Sequence, residues 1–150
     1  MRIKKAVLKQ IEGTSFAGKS DTNHWITIDN SVEFGGSNAG SSPKELILIG
    51  LAGCTASDVV SILKKKRVNL EDFKINITAE VAEEHPKVFT KIHLEYLFFG
   101  ENVPAKDVER SIELSRTKYC SVTKMLEKSV EITHSYRIID GKNILEEKEN

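Results

Sequence analysis

Two cysteines are the residues of this sequence best suited to redox chemistry. Cys54 occurs in the run AGCTASD, and Cys120 occurs in the run TKYCSVT. A cysteine thiolate attacks electrophiles, and a sulfur oxidised in this way condenses with a second thiol to form a disulfide. A small buried hydrophobic side chain is the competing interpretation of each cysteine. At the level of residue type, thiol chemistry and ordinary packing both remain open.

Small residues and one carboxylate surround Cys54 in a stretch predicted to be helical. Glycine inside a helix costs about 1 kcal/mol relative to alanine, so Gly50 and Gly53 indicate the close approach of another backbone or a substrate. Asp58 follows Cys54 by one helical turn and therefore shares its face. The charge of that carboxylate opposes ionisation of the thiol, so a reactive Cys54 needs a positive partner.

Cys120 stands at the start of a second, short predicted helix. Arg116, Lys118 and Lys124 are close to it in the sequence. Helix N-termini and neighbouring cations both lower the pKa of a thiol. The sequence therefore predicts a lowered pKa for Cys120, with a buried structural thiol as the alternative.

Two histidines are candidates for a cation or proton donor beside a thiol. His24 lies in the run DTNHW of the N-terminal region, and His134 alternates onto the apolar face of the last predicted strand. For His134, a packed core or interface histidine is the favoured interpretation. His85 is assigned to a hairpin turn and His93 to the polar face of a strand, so both are predicted to be structural.

A metal site formed by Cys54, Cys120 and His24 is a further interpretation of the same residues. The sequence contains no CxxC or HxxxH spacing, which is the usual signature of such a site. A metal site is therefore disfavoured.

A long helix is predicted to position Cys54. The run Ser42-Pro43-Lys44-Glu45 combines an N-cap serine, a proline at the first helical position and a glutamate at the third, which together form a capping box. We expect the helix to end near Lys66, where basic residues face the negative end of its dipole. Its first half, 46–52, is apolar on all sides, so either strands wrap it completely or a second subunit covers one face.

The other predicted elements are mostly strands, identified by alternation of apolar and polar residues. In chain order they are strands at 3–8, 25–28, 73–81 and 88–99, helices from Asn102 and over 121–126, and a final strand at 130–138. The first two strands are predicted to form a small antiparallel sheet, and the next two an antiparallel hairpin. The length favours one domain over residues 1–150, with a polar tail from about residue 140 that is expected to fray.

Composition excludes several classes of partner. Lysine plus arginine equals aspartate plus glutamate, at 22 each, so no net charge steers a nucleic acid. The longest nearly apolar run, 46–54, is well short of the ~20 residues that span a bilayer. The N-terminus is too polar for a signal peptide, so we expect a cytoplasmic protein whose cysteines are reduced.

The two cysteine contexts together resemble the osmotically inducible protein C (OsmC) and organic hydroperoxide resistance family. The resemblance rests on a helix that begins SPKEL and reaches AGC at Cys54, on CSV at Cys120 about 66 residues later, and on the order of the elements over residues 1 to about 139. The runs SPKELILIGLAGCTASDVVSILKKKR and EEHPKVFTKIHLEY are most similar to a less characterised branch. The resemblance implies an α+β, OsmC-like fold in which antiparallel sheets surround a long central helix, assembled as an intertwined, swapped homodimer.

The same resemblance implies a thiol-dependent peroxidase that reduces organic hydroperoxides in oxidative-stress defence. Cys54 corresponds to the peroxidatic thiol and Cys120 to the resolving thiol, and an external dithiol would reduce the disulfide. No metal or organic cofactor is implied. The competing prediction is a thiol-bearing protein that binds a lipophilic or electrophilic ligand at the dimer interface without efficient turnover.

The sequence departs from the family in the groups that activate the thiolate. Family peroxidases pair an N-terminal arginine with a glutamate, but there is no arginine between Arg2 and Arg67, and Lys44 occupies the position of the glutamate. Glu45 is better explained as a capping residue. We therefore expect His24 to supply the positive partner of Cys54, with Lys44 as the second candidate.

Overall fold

A computed structural model describes residues 1–140 of the 150-residue chain. The tail expected to fray falls mainly on residues 141–150, which lie outside the described residues. The chain forms two compact units, one covering residues 1–49 and the other beginning at Gly50. The single domain expected from the length stays a prediction.

The N-terminal unit contains a three-stranded antiparallel sheet in the order β1 (Ala6–Glu12), β2 (Ser15–Ser20) and β3 (Ile26–Ile28). A small antiparallel sheet is present as predicted, but the two predicted strands, now β1 and β3, each pair with β2 and not with each other. The middle strand, SFAGKS, was not predicted because its small and polar residues lack the regular alternation that marks a strand. Gly13, with a φ of 55°, makes the tight turn that joins β1 to β2.

Asp29 organises the loop that follows β3. The carboxylate is only 2% exposed. It accepts hydrogen bonds from the Thr14 hydroxyl at 3.0 Å, the Ser15 hydroxyl at 2.7 Å, and the backbone N–H groups of Asn30 at 2.7 Å, Ser37 at 3.1 Å and Ala39 at 3.2 Å. The bond from Ser15, with those from the backbone, holds the pKa of the Asp29 carboxyl well below its usual range, although burial acts in the opposite direction.

We expect Asp29→Asn to lower the melting temperature at neutral pH, because an amide presents an NH2 group to donors that require an acceptor. A carboxyl whose pKa is lower in the folded state stabilises that state above its unfolded pKa of about 3.9, and this contribution is lost as the pH falls through the folded pKa. Thermal unfolding at pH 7 and pH 3 should show a large difference between the two proteins at pH 7 and a smaller one at pH 3. Asp21→Asn, at an exposed aspartate near Lys4, is the matched control. Identical melting curves for wild type and Asp29→Asn at pH 7 would contradict the prediction.

The long helix α1 (Pro43–Lys65) has the start and length that the sequence predicts. The Ser42 N–H donates to Glu45 Oε2 at 2.7 Å, and the Glu45 N–H donates to Ser42 Oγ at 3.4 Å. These two bonds form the predicted capping box. Glu45 is therefore a capping residue.

One face of α1 is buried within the chain and the opposite face is exposed. The buried positions recur every four residues and are Leu51, Thr55, Val59 and Leu63. On the other side, Ile49 is 56% exposed, Val60 is 40% exposed, and Gly53 is exposed between them. Within residues 50–140, the strands of the same unit therefore cover only one face of α1, and the choice between the two alternatives for its other face stays open.

By length and composition alone, α1 could cross a bilayer. The expectation of no such segment rested on a shorter apolar run, and the helical stretch that counts here is longer. A single helix of this kind is weak evidence for a membrane, because the core helix of a soluble protein has the same length and apolar composition.

The second unit contains a mixed sheet in the order β4 (Asp72–Val81), β5 (Phe89–Phe99) and β6 (Glu131–Ile139). β4 and β5 form the predicted antiparallel hairpin, and β6 is the predicted final strand. The α+β fold class is confirmed, with one difference in this sheet: β6 runs parallel to β5. Parallel neighbours need a long crossover connection, and residues 100–130 supply it.

The crossover contains α2 (Ala105–Leu114), a π-helical turn (Ser115–Tyr119) and α3 (Ser121–Leu126). Both helices match their predicted positions. The π-helical turn was not predicted. It places Ser115 and Cys120 in contact through the backbone, because the Cys120 N–H donates to the Ser115 carbonyl at 2.8 Å.

Candidate active site

The structure brings the two cysteines together from separate elements. Cys54 lies about three turns into α1, and Cys120 is the N-cap of α3. Both sulfur atoms and one carboxylate oxygen of Asp58 lie within 4.8 Å of one another. A disulfide bond is about 2.0 Å long, so closing it needs a movement of less than about 3 Å.

The two thiols differ in exposure. Cys54 is half-buried and reachable from solvent, whereas Cys120 is 0% exposed. The Cys54 sulfur lies 4.0 Å from the Ser121 hydroxyl, which can donate to it. An external oxidant can therefore reach Cys54 but not Cys120.

The lowered pKa predicted for Cys120 is wrong. Burial raises the pKa of this thiol, and the neighbouring Cys54 acts in the same direction. The Thr123 N–H does donate to the Cys120 sulfur at 3.4 Å, as the position at a helix start suggests, but this favourable bond is outweighed by the loss of water around the sulfur. Cys120 is a protonated thiol at neutral pH.

A buried chain of hydroxyl groups ends on Asp58. Tyr96 OH lies 2.8 Å from Thr55 Oγ1, Thr55 Oγ1 lies 2.9 Å from Ser115 Oγ, and Ser115 Oγ donates to Asp58 Oδ2 at 2.9 Å. Because Ser115 gives its only proton to the carboxylate, it must accept from Thr55, and Thr55 in turn accepts from Tyr96. Burial raises the pKa of Tyr96 to about 12, so its hydroxyl stays protonated and can donate.

Sequence reasoning missed Thr55, Tyr96 and Ser115. They come from α1, β5 and the π-helical turn, so no local spacing connects them. The polar type of Thr55 on the buried face of α1 was the one available signal, because a buried hydroxyl needs a partner.

His134, in the second unit, does not supply a cation. His134 stacks on Tyr96 with ring centroids 6.2 Å apart, and burial lowers the pKa of His134 to about 4, with Arg116 acting in the same direction. It is neutral at physiological pH, as expected for a packed histidine. His93 joins β5 to β6 through Thr133 and Ser135, each at 2.8 Å, so its predicted structural role is confirmed.

The other two candidates for the positive partner belong to the N-terminal unit. His24 is exposed in the loop between β2 and β3, and Lys44 is exposed in the first turn of α1. Their roles beside Cys54 stay predictions.

The open side of Cys54 is lined by glycine. Apart from its chain neighbours and the adjoining backbone of α1, a Cβ atom added at Gly50 or at Gly53 would meet no described atom within 4 Å. The close approach that these glycines suggest is not seen among residues 50–140 and stays a prediction.

The cluster of Cys54, Cys120 and Asp58 offers two sulfurs and an oxygen, donors that Zn²⁺ accepts. Zinc would have to displace the Cys120 proton, and burial, which raises the pKa of that thiol, makes the displacement more costly. Ser115 also holds one oxygen of the Asp58 carboxylate. The arrangement therefore fits thiol chemistry better than metal binding.

Comparison with known proteins places the chain in one family. A family model for OsmC-like protein matches residues 35–135. The chain is 41% identical over 135 residues to Protein YhfA of Escherichia coli strain K12, which covers 90% of this chain and 98% of YhfA.

Two solved structures extend the comparison to the fold. A hypothetical protein from Aquifex aeolicus VF5 is 32% identical, with a TM-score of 0.82 over 94% of this chain and 99% of that chain. An organic hydroperoxide resistance protein from Legionella pneumophila is 15% identical, with a TM-score of 0.68 over 91% of this chain and 97% of that chain. At that identity the likeness is one of fold.

Proposed function

Because this chain belongs to the OsmC-like protein family, we propose that it is a thiol-dependent peroxidase that reduces organic hydroperoxides through Cys54 and Cys120. One observation carries the proposal: two cysteines that are distant in the sequence lie within 4.8 Å, one reachable from solvent and the other buried. A structure that shares the fold is an organic hydroperoxide resistance protein, which supports the choice of substrate class.

The reaction needs three balanced steps. The Cys54 sulfur attacks the outer oxygen of the hydroperoxide, the O–O bond breaks, an alcohol leaves, and Cys54 becomes a sulfenic acid. The Cys120 thiol then displaces the sulfenic hydroxyl as water and forms the disulfide. An external dithiol reduces the disulfide by exchange and restores both thiols.

The exposure of the two thiols supports these roles. The attacking thiol must meet the substrate, which suits half-buried Cys54. The resolving thiol needs to meet only the oxidised Cys54, which suits fully buried Cys120. We further propose that His24, or failing that Lys44, supplies the positive charge that favours the Cys54 thiolate. The cytoplasm is the proposed location, because its reducing conditions keep both thiols free.

We also propose that the active form is a homodimer, as the family resemblance implies. The exposed face of α1 presents Ile49 and Val60 on either side of Gly53. An exposed apolar surface of this kind marks a protein–protein interface. A second copy of the chain would provide it.

Anaerobic titration with cumene hydroperoxide tests the proposed function. One molar equivalent should consume both thiols of each chain, with the mass falling by two hydrogens as the disulfide forms. Hydrogen peroxide should act more slowly, because the exposed Ile47 and Ile49 of α1 precede Cys54 and favour a substrate with an apolar group. Thiols that survive an excess of both peroxides would reject the peroxidase.

The competing function is binding of a lipophilic or electrophilic ligand at the thiol. The open space beside Gly50 and Gly53 favours it as much as it favours a hydroperoxide. The two functions differ in the same titration, because a ligand-binding protein would form an adduct at Cys54 without forming the disulfide.

A further inference from the structure

We propose that Asp58 is the base of the second step, and that its carboxylate takes the proton of the Cys120 thiol as the Cys120 sulfur bonds to the Cys54 sulfur. This inference rests on the proposed function for its setting. The bond-forming step itself can be tested without any hydroperoxide.

The step balances without an additional reactant. The Cys120 S–H bond breaks, its electron pair forms the new S–S bond, and its proton passes to Asp58. The S–O bond of the Cys54 sulfenic acid breaks at the same time, and the departing hydroxide takes the proton from Asp58. Disulfide and water are the products, and the carboxylate is restored.

Burial of Cys120 creates the need for a base. A thiolate is the nucleophile in disulfide chemistry, and a thiol is a poor one. Cys120 is 0% exposed, and burial raises its pKa, so at neutral pH the attacking group carries its proton. Bulk water does not reach this sulfur, so its proton needs an acceptor within the site.

Asp58 is placed to be that acceptor. Its carboxylate oxygen lies within 4.8 Å of both sulfur atoms, which allows transfer directly after a small side-chain rotation or through one water. Among the hydrogen bonds of the described residues, Ser115 uses only Oδ2 of the carboxylate. The other carboxylate oxygen makes none of these hydrogen bonds and is available to accept the proton.

The hydroxyl chain acts as a positioning device. Ser115 fixes the carboxylate, Thr55 fixes Ser115, and Tyr96 completes the chain in the core of the unit. The π-helical turn links this hydroxyl chain to Cys120, because the Ser115 carbonyl accepts from the Cys120 N–H at 2.8 Å. Ser115 thus holds both the base and the residue that it deprotonates.

The pH dependence of disulfide formation also depends on the charged and titratable groups near Asp58 and Cys120. From the other elements of this unit, Tyr96 has its pKa raised to about 12 by burial, and His134 has its pKa lowered to about 4 by burial. Arg116 acts on both through its positive charge. Tyr96 and His134 therefore keep one protonation state between pH 6 and pH 8, so neither contributes to a pH dependence in that range.

The test uses 5,5′-dithiobis(2-nitrobenzoate) on the full-length reduced protein. The reagent first forms a mixed disulfide at Cys54 and releases one thionitrobenzoate. Cys120 then attacks the Cys54 sulfur, releases a second thionitrobenzoate and gives its proton to Asp58. The second release is first-order and independent of reagent concentration, and Cys120→Ser should lack it.

Asp58→Asn preserves the shape of the side chain and its bond to Ser115 but removes the base. We expect the second release to slow about 100-fold at pH 7, the size typical of lost general-base catalysis. In the wild type, the rate of the second release should change less than about threefold from pH 6 to pH 8. In Asp58→Asn this rate should rise about tenfold per pH unit, because only the fraction of Cys120 that has ionised to the thiolate can react. Ser115→Ala should slow the release less and keep the flat profile.

Asp107→Asn, at a carboxylate paired with Lys66 at 2.9 Å on α2, is the matched control and should leave both rates unchanged. A faster second release in Asp58→Asn would overturn the proposal, because Asp58 would then merely repel the developing thiolate. An unchanged rate, or a wild type that releases one equivalent only, would overturn it as well. Failure of the peroxidase would show separately, as unreactive thiols in the hydroperoxide titration.

Discussion

Cys54→Ser should abolish hydroperoxide consumption, whereas Cys120→Ser should complete one turnover and stop. Loss of the attacking sulfur removes the nucleophile itself, so we expect the rate to fall at least about 1,000-fold. In Cys120→Ser the first step is intact, and Cys54 should accumulate as a sulfenic acid because no second thiol condenses with it. The measurement is hydroperoxide loss by a colorimetric peroxide assay, with dimedone labelling of Cys54 followed by mass spectrometry.

The choice of reductant decides how clearly the second variant can be interpreted. Dithiothreitol can reduce a sulfenic acid directly, so normal turnover of Cys120→Ser with this reductant alone would not exclude a resolving role. A lipoyl-type or thioredoxin-type reductant should therefore be compared with it. Residual activity of Cys54→Ser above the uncatalysed rate, with any reductant, would reject the mechanism.

The second large effect concerns assembly: Ile49→Glu should convert a dimer into a monomer or an aggregate. Ile49 is 56% exposed on the open face of α1, and burying an isoleucine contributes about 1.5–3 kcal/mol. A homodimer contains the substitution twice, and a buried carboxylate without a partner adds a further cost. Light scattering should give the mass of two chains for the wild type and the mass of one chain for a folded Ile49→Glu variant.

Ile49→Val is the matched control, because it keeps an apolar side chain at the same position and should remain dimeric. A wild-type protein that is a stable, folded monomer at micromolar concentration would remove the dimer and, with it, the swapped architecture implied by the family. A dimeric Ile49→Glu would instead place the interface away from this face of α1.

Much of the fold could be predicted because its signals are local. The capping box at Ser42 and Glu45 fixed the start of α1, and alternation marked β4, β5 and β6 within about a residue. The direction of β6 could not be predicted in this way. Alternation shows that a stretch is a strand, but whether it runs parallel to β5 depends on a pairing partner far away in the chain.

The candidate site could be predicted only in part, and the reason is burial. Position and nearby cations suggested a lowered pKa for Cys120, whereas the structure surrounds the sulfur and raises it. Asp58 was noticed through its spacing from Cys54, but only as an obstacle to the thiolate. Its relation to Cys120 and Ser115 depends on packing between α1 and the crossover, which no single-sequence pattern records.

The parallel pairing of β6 with β5 sets the order in which the two cysteines become able to meet during synthesis. The hairpin of β4 and β5 is local and can form early, whereas β6 reaches β5 only after the whole crossover has been synthesised. Cys120 and Ser115 lie inside that crossover, so a growing chain carries Cys54 long before it carries the partner thiol. Until synthesis passes Cys120, an oxidised Cys54 would find thiols only on other molecules, so in the proposed mechanism the intramolecular disulfide becomes possible only once the crossover is in place.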